Sequence, residues 1–493
     1  MLIVLIFLDI INFINNAITK GDVFIMLFRK ESDSIGEKQV PKDAYYGVQT
    51  LRAAENFNIT GYRLQPEFIK SLAKIKKAAA ITNQKAGLLD EKIAKAIVKA
   101  CDEIIEGKLH DEFITDPIQG GAGTSMNMNA NEVIANRAIE ILGGEKGNYK
   151  IVHPNDHVNM GQSTNDVIPT AGKITAYELL NNTIDELEKL HGALLKKSKE
   201  FDNVIKMGRT QLQDAVPIRL GQEFGAYAEV VGRDVVRLKK AQEEILSVNL
   251  GGTAVGTGIN ADSEFEKNIV PNLAKITGIN LKQCEDLVDG TQNLDGYVVV
   301  SGALKTCAVS LSKISNDLRL LSSGPRTGFG EINLPPKQNG SSIMPGKINP
   351  VIPEVVNQVA FSVIGNDMTI TMAAEAGQME LNAFEPVLFY KLFESITTLG
   401  NAVNTLTKNC VEGITANRER CRDLVYNSVG IVTAICPYVG YKEAAKIAKT
   451  AIKTGEPVKK VALDEGVLSE KELDVLLNPV AMTEPGIAGK QQQ

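Results

Sequence analysis

The 493-residue chain has no tryptophan, and its aromatic content is only 5%. Binding of single-stranded nucleic acid relies on aromatic rings that stack bases, and little here could build such a platform. Fifty-three lysines and arginines nearly balance 59 aspartates and glutamates. A net charge of −6 is mild for this length and leaves no basic footprint for nucleic acid. Any anionic ligand must therefore be met by local donors. The six cysteines, at 101, 284, 307, 410, 421 and 436, form no C-x-x-C pair, which reads as reduced thiols and suits the cytoplasm. Met1–Ile14 is apolar, but Asp9 and Asn12 interrupt it and no basic residue precedes it. Only the core of a secretory signal is present, and the run falls short of the ~20 apolar residues of a membrane span. Met26 is a natural start, so residues 1–25 read as an apolar extension or a misassigned start.

What remains is ordinary for a globular protein: 44% hydrophobic and 23% charged residues, with length for roughly three domains and a large core. Residues 26–164 are expected to form an N-terminal domain, 165–419 a central helix-bundle domain and 420–493 a small C-terminal domain of short helices and turns. Ile174, Tyr177, Leu180, Ile184, Leu187, Leu190 and Leu194 recur at spacings of three and four, the stripe of a helix packed along another helix. A second stripe runs through Leu304, Cys307, Leu311, Ile314, Leu318 and Leu321, and a third starts at Val355, Val359 and Val363. Together they predict a mainly α fold built on a long-helix bundle.

Polar residues gather in separate segments. Ile118–Ala138 (IQGGAGTSMNMNANEVIANRA) places glycines before Thr124, Ser125, Asn127, Asn129 and Asn131. It lacks the G-x-x-x-x-G-K-[ST] of a phosphate loop, but a helix start with exposed donors suits a carboxylate. In HPNDHVNMGQSTNDVIPT, His153 and His157 stand four apart beside Asp156. Pro154 argues against a helix across both, and no third ligand set is evident, so a metal site is not expected. Gly208–Phe224 (GRTQLQDAVPIRLGQEF) interrupts the first stripe before another helix. NLGGTAVGTGIN, Asn249–Asn260, mimics a nucleotide loop without the βαβ unit such a loop requires, and reads as a turn between helices. The densest segment is Gly340–Pro350, GSSIMPGKINP. Its glycines and prolines exclude a continuous helix. Ser341, Ser342, Lys347 and Asn349 make it rich in donors, and consecutive N–H groups in such a turn form an anion-binding concavity.

GSSIMPGKINP closely resembles the signature of the aspartase/fumarase superfamily, whose members break C–N or C–O bonds to release fumarate. The resemblance extends from about Arg29 to Lys490. It implies a three-domain fold whose central bundles assemble four subunits into one helical core, with active sites shared between subunits and no cofactor required. Activation by a divalent cation is left open. By the same resemblance Ser341 is the catalytic base. Thr124, Ser163, Thr210 and Ser342 would hold the carboxylate that becomes an enediolate, and Lys347, Asn349 and Thr164 the other carboxylate. His157 is taken as structural.

The leaving group separates the branches. Hydroxide is a poor leaving group and needs a general acid, whereas an ammonium-bearing carbon expels neutral ammonia. Fumarases carry histidine after the threonine at 210; this chain has Gln211, able with Asn165 to accept from a substrate ammonium. DPIQGGAGTSMNMNANEV and NPVIPEVVNQV also look like the aspartase branch. A class II fumarase is the alternative enzyme. A structural protein reusing the fold, as in the lens, is the non-enzyme alternative, but a scaffold needs only the apolar stripes.

Overall fold

The computed structural model describes residues 27–490, so the expectation for residues 1–25 lies outside the described residues. In chain order the principal elements are strands β1 (Phe28–Asp33) and β2 (Gly36–Pro41), then helices α1 (Val48–Asn56), α2 (Pro66–Lys85), α3 (Glu91–Ile105), α4 (Thr124–Ile141) and α5 (Thr164–Glu200). Strands β3 (Ile205–Thr210) and β4 (Gln213–Arg219) follow, then α6 (Leu220–Glu243), α7 (Ser263–Thr277), α8 (Asp295–Leu321), α9 (Val351–Glu375) and α10 (Glu385–Asn409). Short helices close the chain, among them α11 (Tyr441–Thr454), α12 (Val458–Asp464) and α13 (Glu470–Leu476). The fold is mainly α, and among the described residues the sheets are all two-stranded.

The described residues divide into two compact units, each assembled from separate stretches of chain. The first holds the residues up to Thr175 together with Leu246–Leu294 and Ala373–Tyr390. Here α2 packs on α3 and α7, and α3 packs on α4. Leu72 and Ile75 of α2, Ile97 and Ile104 of α3, and Ile134 of α4 are buried between them. Helix starts are well provided. Asp90 caps α3 by accepting from the N–H groups of Lys92 and Ile93. Glu132, buried on α4, reaches across to the first turn of α1 and accepts from the N–H groups of Gly47, Gln49 and Thr50 and the Thr50 hydroxyl, which satisfies donors that a helix start otherwise leaves unpaired. Pro154, expected to exclude helix around the histidines, instead opens a single π-helical turn, Pro154–Val158. Proline is tolerated at this first position because its missing N–H would have had no partner there.

The second unit comprises Ala176–Ile245, Asp295–Met372 and Lys391–Gln493. The stripes expected on α5 and α8 are core: Leu180, Leu187, Leu190 and Leu194, and Leu304, Leu311 and Leu318, are fully buried. Helix α8 is long and apolar enough to cross a membrane, yet half of its most apolar window is buried within the chain, where it packs on α6. The third stripe is shifted from its expected face. The buried residues of α9 include Val356, Ala360, Val363, Ile370 and Ala373, whereas Val355, Phe361, Ile364, Met368 and Met372 are exposed. Helix α9 is thus apolar on two faces and only one is covered within its own chain. Gly208–Phe224, expected only to interrupt the helices, forms the β3–β4 hairpin before α6 begins. The C-terminal helices close a separate apolar cluster around Ile435, Ile447, Ala462 and Leu473.

Candidate active site

Two helix starts carry the candidates of the first unit. Gly123 caps α4 in the left-handed conformation (φ +85°), and a Cβ there would stand 2.9 Å from Ile168 Cγ2 on α5. Glycine therefore permits both the turn and the close approach of the two helices. Thr124, the first residue of α4, is exposed, and its hydroxyl donates to Gly121 O at 2.8 Å. One turn on, Asn127 Nδ2 lies 3.3 Å from Thr164 Oγ1, joining the first turn of α4 to the first turn of α5.

The α5 start is fixed by a buried carboxylate. Asp166 accepts from Ser163 N–H at 2.9 Å and from Gly251 and Thr253 N–H at 3.0 and 3.1 Å. The Gly-rich segment Asn249–Asn260 therefore serves as packing for this turn. Desolvation raises the Asp166 pKa to about 6 against the opposing pull of those N–H groups. Ser163 Oγ accepts from Asn165 N–H. Asn165 Nδ2 is occupied by Ala254 O at 2.7 Å, which leaves its side-chain oxygen to accept. The nearby histidine rings act as caps: His153 Nδ1 accepts from Asn155 and Asp156 N–H, and His157 Nδ1 accepts from His153 N–H. Among the described residues no group of three metal-ligating side chains occurs.

The second unit carries the other candidates. Thr210 and Gln211 sit at the tip of the β3–β4 hairpin, where Thr210 pairs with Gln213 across a two-residue turn. Gln211 and Leu212 both have positive φ, 54° and 61°, a conformation that ordinarily selects Asn-Gly and that side chains adopt at a cost near functional sites. The hairpin is anchored by Glu331, fully buried, which accepts from Arg209 Nη1 with both oxygens at 2.9 and 3.0 Å.

The loop 340–350 is closed at its neck. Gly340 N–H donates to Lys347 O at 3.0 Å, and Asn349 Nδ2 donates to Gly340 O at 2.6 Å. Ser342 and Lys347 are exposed, and Ser341 is half-buried. The Ser341 hydroxyl oxygen accepts from the N–H groups of Ile343 and Met344, at 3.3 and 3.0 Å. Two fixed donors on one hydroxyl oxygen favour its anionic form. The loop's sequence pointed to backbone donors in general without identifying which ones.

Thr124 and Ser163–Asn165 thus belong to the first unit, and Thr210, Gln211, Ser341, Ser342, Lys347 and Asn349 to the second. Sequence reasoning missed Asp166 and the Asn127–Thr164 link, although Asn127 stands in the amide-rich run it had singled out.

Residues 36–365 match the model of a lyase family, and residues 431–484 match the model of the fumarase C C-terminus. The chain belongs to this lyase family, the aspartase/fumarase superfamily. Within it, the chain is 58% identical over 463 residues to an aspartate ammonia-lyase of a Bacillus species, spanning 94% of this chain and 99% of that protein. It is 55% identical over 459 residues to an aspartate ammonia-lyase of Helicobacter pylori, spanning 93% and 98%. Its fold matches that of a fumarate lyase:delta crystallin from Brucella melitensis bound to cobalt, with TM-score 0.90 at 52% identity over 93% of this chain and 100% of that one. A class II fumarase from Schistosoma mansoni gives TM-score 0.90 at 36% identity over the same shares.

Proposed function

We propose that this chain deaminates L-aspartate reversibly to fumarate and ammonia, with Ser341 as the base. The observation that carries the reading is the pair of N–H groups, from Ile343 and Met344, aimed at Ser341 Oγ. As an alkoxide held by those donors, Ser341 takes a proton from Cβ of aspartate. The electron pair moves onto the adjacent carboxylate as an enediolate. It then returns to form the Cα–Cβ double bond as the C–N bond breaks and neutral ammonia leaves with the C–N pair.

Thr124, Ser163, Thr210 and Ser342 are assigned to the carboxylate that gains charge. Their hydroxyls stabilise it most where charge develops, without gripping the ground state as a cation would. Lys347, Thr164 and Asn349 take the other carboxylate; Asn349 gives one amide proton to Gly340 O and has a second to donate. Gln211 and the free side-chain oxygen of Asn165 accept from the substrate ammonium. The reaction written this way calls for no cofactor.

We further propose that four chains associate through their long helices and that each active site draws residues from more than one chain. The exposed apolar residues of α9, Phe361, Met368 and Met372 among them, support self-association, since an uncovered face of this kind marks an interaction surface. A cytoplasmic location fits six cysteines that are all free thiols.

The test follows fumarate by ultraviolet absorbance with L-aspartate and L-malate as separate substrates. Turnover of aspartate is expected; turnover of malate alone would overturn the reading in favour of a fumarase, and no turnover of either would favour a structural protein. Ser341→Ala should abolish deamination in a protein that stays folded and associated, and retained activity would remove Ser341 from its role.

A further inference from the structure

A lysine lies beneath the turn that carries Ser163 and Thr164. Lys76, on α2, has no exposed surface. Its Nζ donates to Asn159 Oδ1 at 2.8 Å and to Gln162 Oε1 at 3.0 Å. Burying an ammonium is costly unless its donors are used, and its neighbours on the same helix, Leu72 and Ile75, show that an apolar side chain is the usual choice at this depth. Two ionisable groups face it, Asp166 of α5 favouring the charged form and Cys101 of α3, and desolvation lowers its pKa to about 7.

Both of its acceptors belong to the segment that leads into α5. Asn159 Oδ1 also receives Asn127 Nδ2 and Asn131 Nδ2, each at 3.2 Å, while Asn159 Nδ2 donates to Gln162 O at 3.1 Å. Gln162 Nε2 in turn donates to the carbonyls of Val158 and Met160. The network ends at Thr164, where Asn127 Nδ2 meets Thr164 Oγ1 at 3.3 Å.

We propose that Lys76 is a positioning residue: through Asn159, Gln162 and Asn127 it sets the turn 159–163 and the Thr164 hydroxyl for a substrate carboxylate. The inference rests on the assignment of Thr164 to substrate made above. Lys76 touches no reacting atom, so its loss weakens ground-state binding more than it slows chemistry.

The experiment compares the full-length chain with Lys76→Met, Thr164→Val and the double variant. It measures kcat and KM for L-aspartate and, separately, succinate affinity by titration calorimetry. In Lys76→Met, KM and the succinate Kd are expected to rise about tenfold while kcat falls less than about threefold. Because Lys76 acts through Thr164, the double variant should be no weaker than the weaker single variant. A folded Lys76→Met protein with KM and Kd within about twofold of the unaltered chain, or effects of the two substitutions that multiply, would overturn the proposal. A merely structural role lowers the active fraction and leaves KM and Kd unmoved. If Lys76→Met does not fold, Asn127→Ala cuts the same network one link nearer Thr164 and must show the same split; unchanged KM and Kd there overturn it too. If the unaltered chain binds succinate without deaminating aspartate, the functional reading fails while calorimetry still judges Lys76. Failure of the unaltered chain to bind succinate overturns both.

Discussion

Replacing Gly340 with alanine tests whether the 340–350 loop works as a fixed instrument. A Cβ at residue 340 would lie 2.2 Å from Lys347 O, 2.8 Å from Asn349 N and 2.9 Å from Lys347 C. All three are backbone atoms, so no side-chain rotation relieves the clash. Opening the nearest contact to 3.0 Å, the limit below which Cβ atoms are essentially never found, needs 3.0 − 2.2 = 0.8 Å of separation at the neck. That movement parts the limb bearing Ser341 and Ser342 from the limb bearing Lys347 and Asn349, and it strains the Gly340 N–H to Lys347 O bond. Misplacement of reacting groups by about 1 Å costs on the order of 10²-fold in rate, or about 2.7 kcal/mol of barrier. The loop is largely exposed and carries no core, so global stability should change by less than about 1 kcal/mol. Gly340→Ala is therefore expected to lose about 10²-fold in kcat/KM for aspartate, with unchanged far-ultraviolet circular dichroism and nearly unchanged Tm. Activity within about threefold of the unaltered chain would show that the limbs need not be held at this spacing, and the account of the loop would be wrong.

Relieving the strained hairpin tip should trade activity for stability: Gln211→Gly removes a side chain held at φ 54°, so the unfolding free energy from chemical denaturation should hold or rise by up to about 1 kcal/mol while kcat/KM for aspartate falls. An activity that survives would remove Gln211 from the site. Phe361→Asp places a charge on the uncovered face of α9, and analytical ultracentrifugation should show a smaller species with helicity retained; an unchanged mass would place the association elsewhere. The buried lysine predicts a pH effect with a definite sign. The Lys76 pKa is lowered to about 7 from its ordinary 10.5, so between those values the unfolded chain binds the extra proton and stability rises with pH. Asp166 and Cys101 face the same ammonium and are unaltered in Lys76→Met. Denaturation midpoints at pH 7 and pH 9 should therefore show a rise in the unaltered chain that Lys76→Met loses, and equal slopes would refute the burial of a titrating amine.

Periodic burial and backbone punctuation were the legible parts of this protein. The stripes on α5 and α8 are core because a leucine recurring at every turn has one physical reading. The 340–350 segment is a loop because its glycines and prolines admit no helix. The β3–β4 hairpin escaped notice for an equally physical reason: Gln211-Leu212 is a poor hairpin turn by local chemistry, and the buried Arg209–Glu331 pair, 122 residues apart in sequence, holds it. Helix α9 misled because apolar residues on two faces carry no phase, and a single chain cannot say which face its own core covers. Lys76 is the sharpest case. Lys74, Lys76 and Lys77 look alike in an alanine-rich helix, and solvated lysine is the ordinary reading. Yet Leu72, Lys76, Ala80 and Asn83 fall on one stripe at spacings of four, four and three, and all are buried. A lysine in phase with a buried stripe must either be exposed by a break in that stripe or find acceptors inside. Asn159 and Gln162, two amides inside the HPNDHVNMGQSTNDVIPT segment, are those acceptors; the phase of a charged residue within a buried stripe is a signal the sequence held and the reading of motifs passed over.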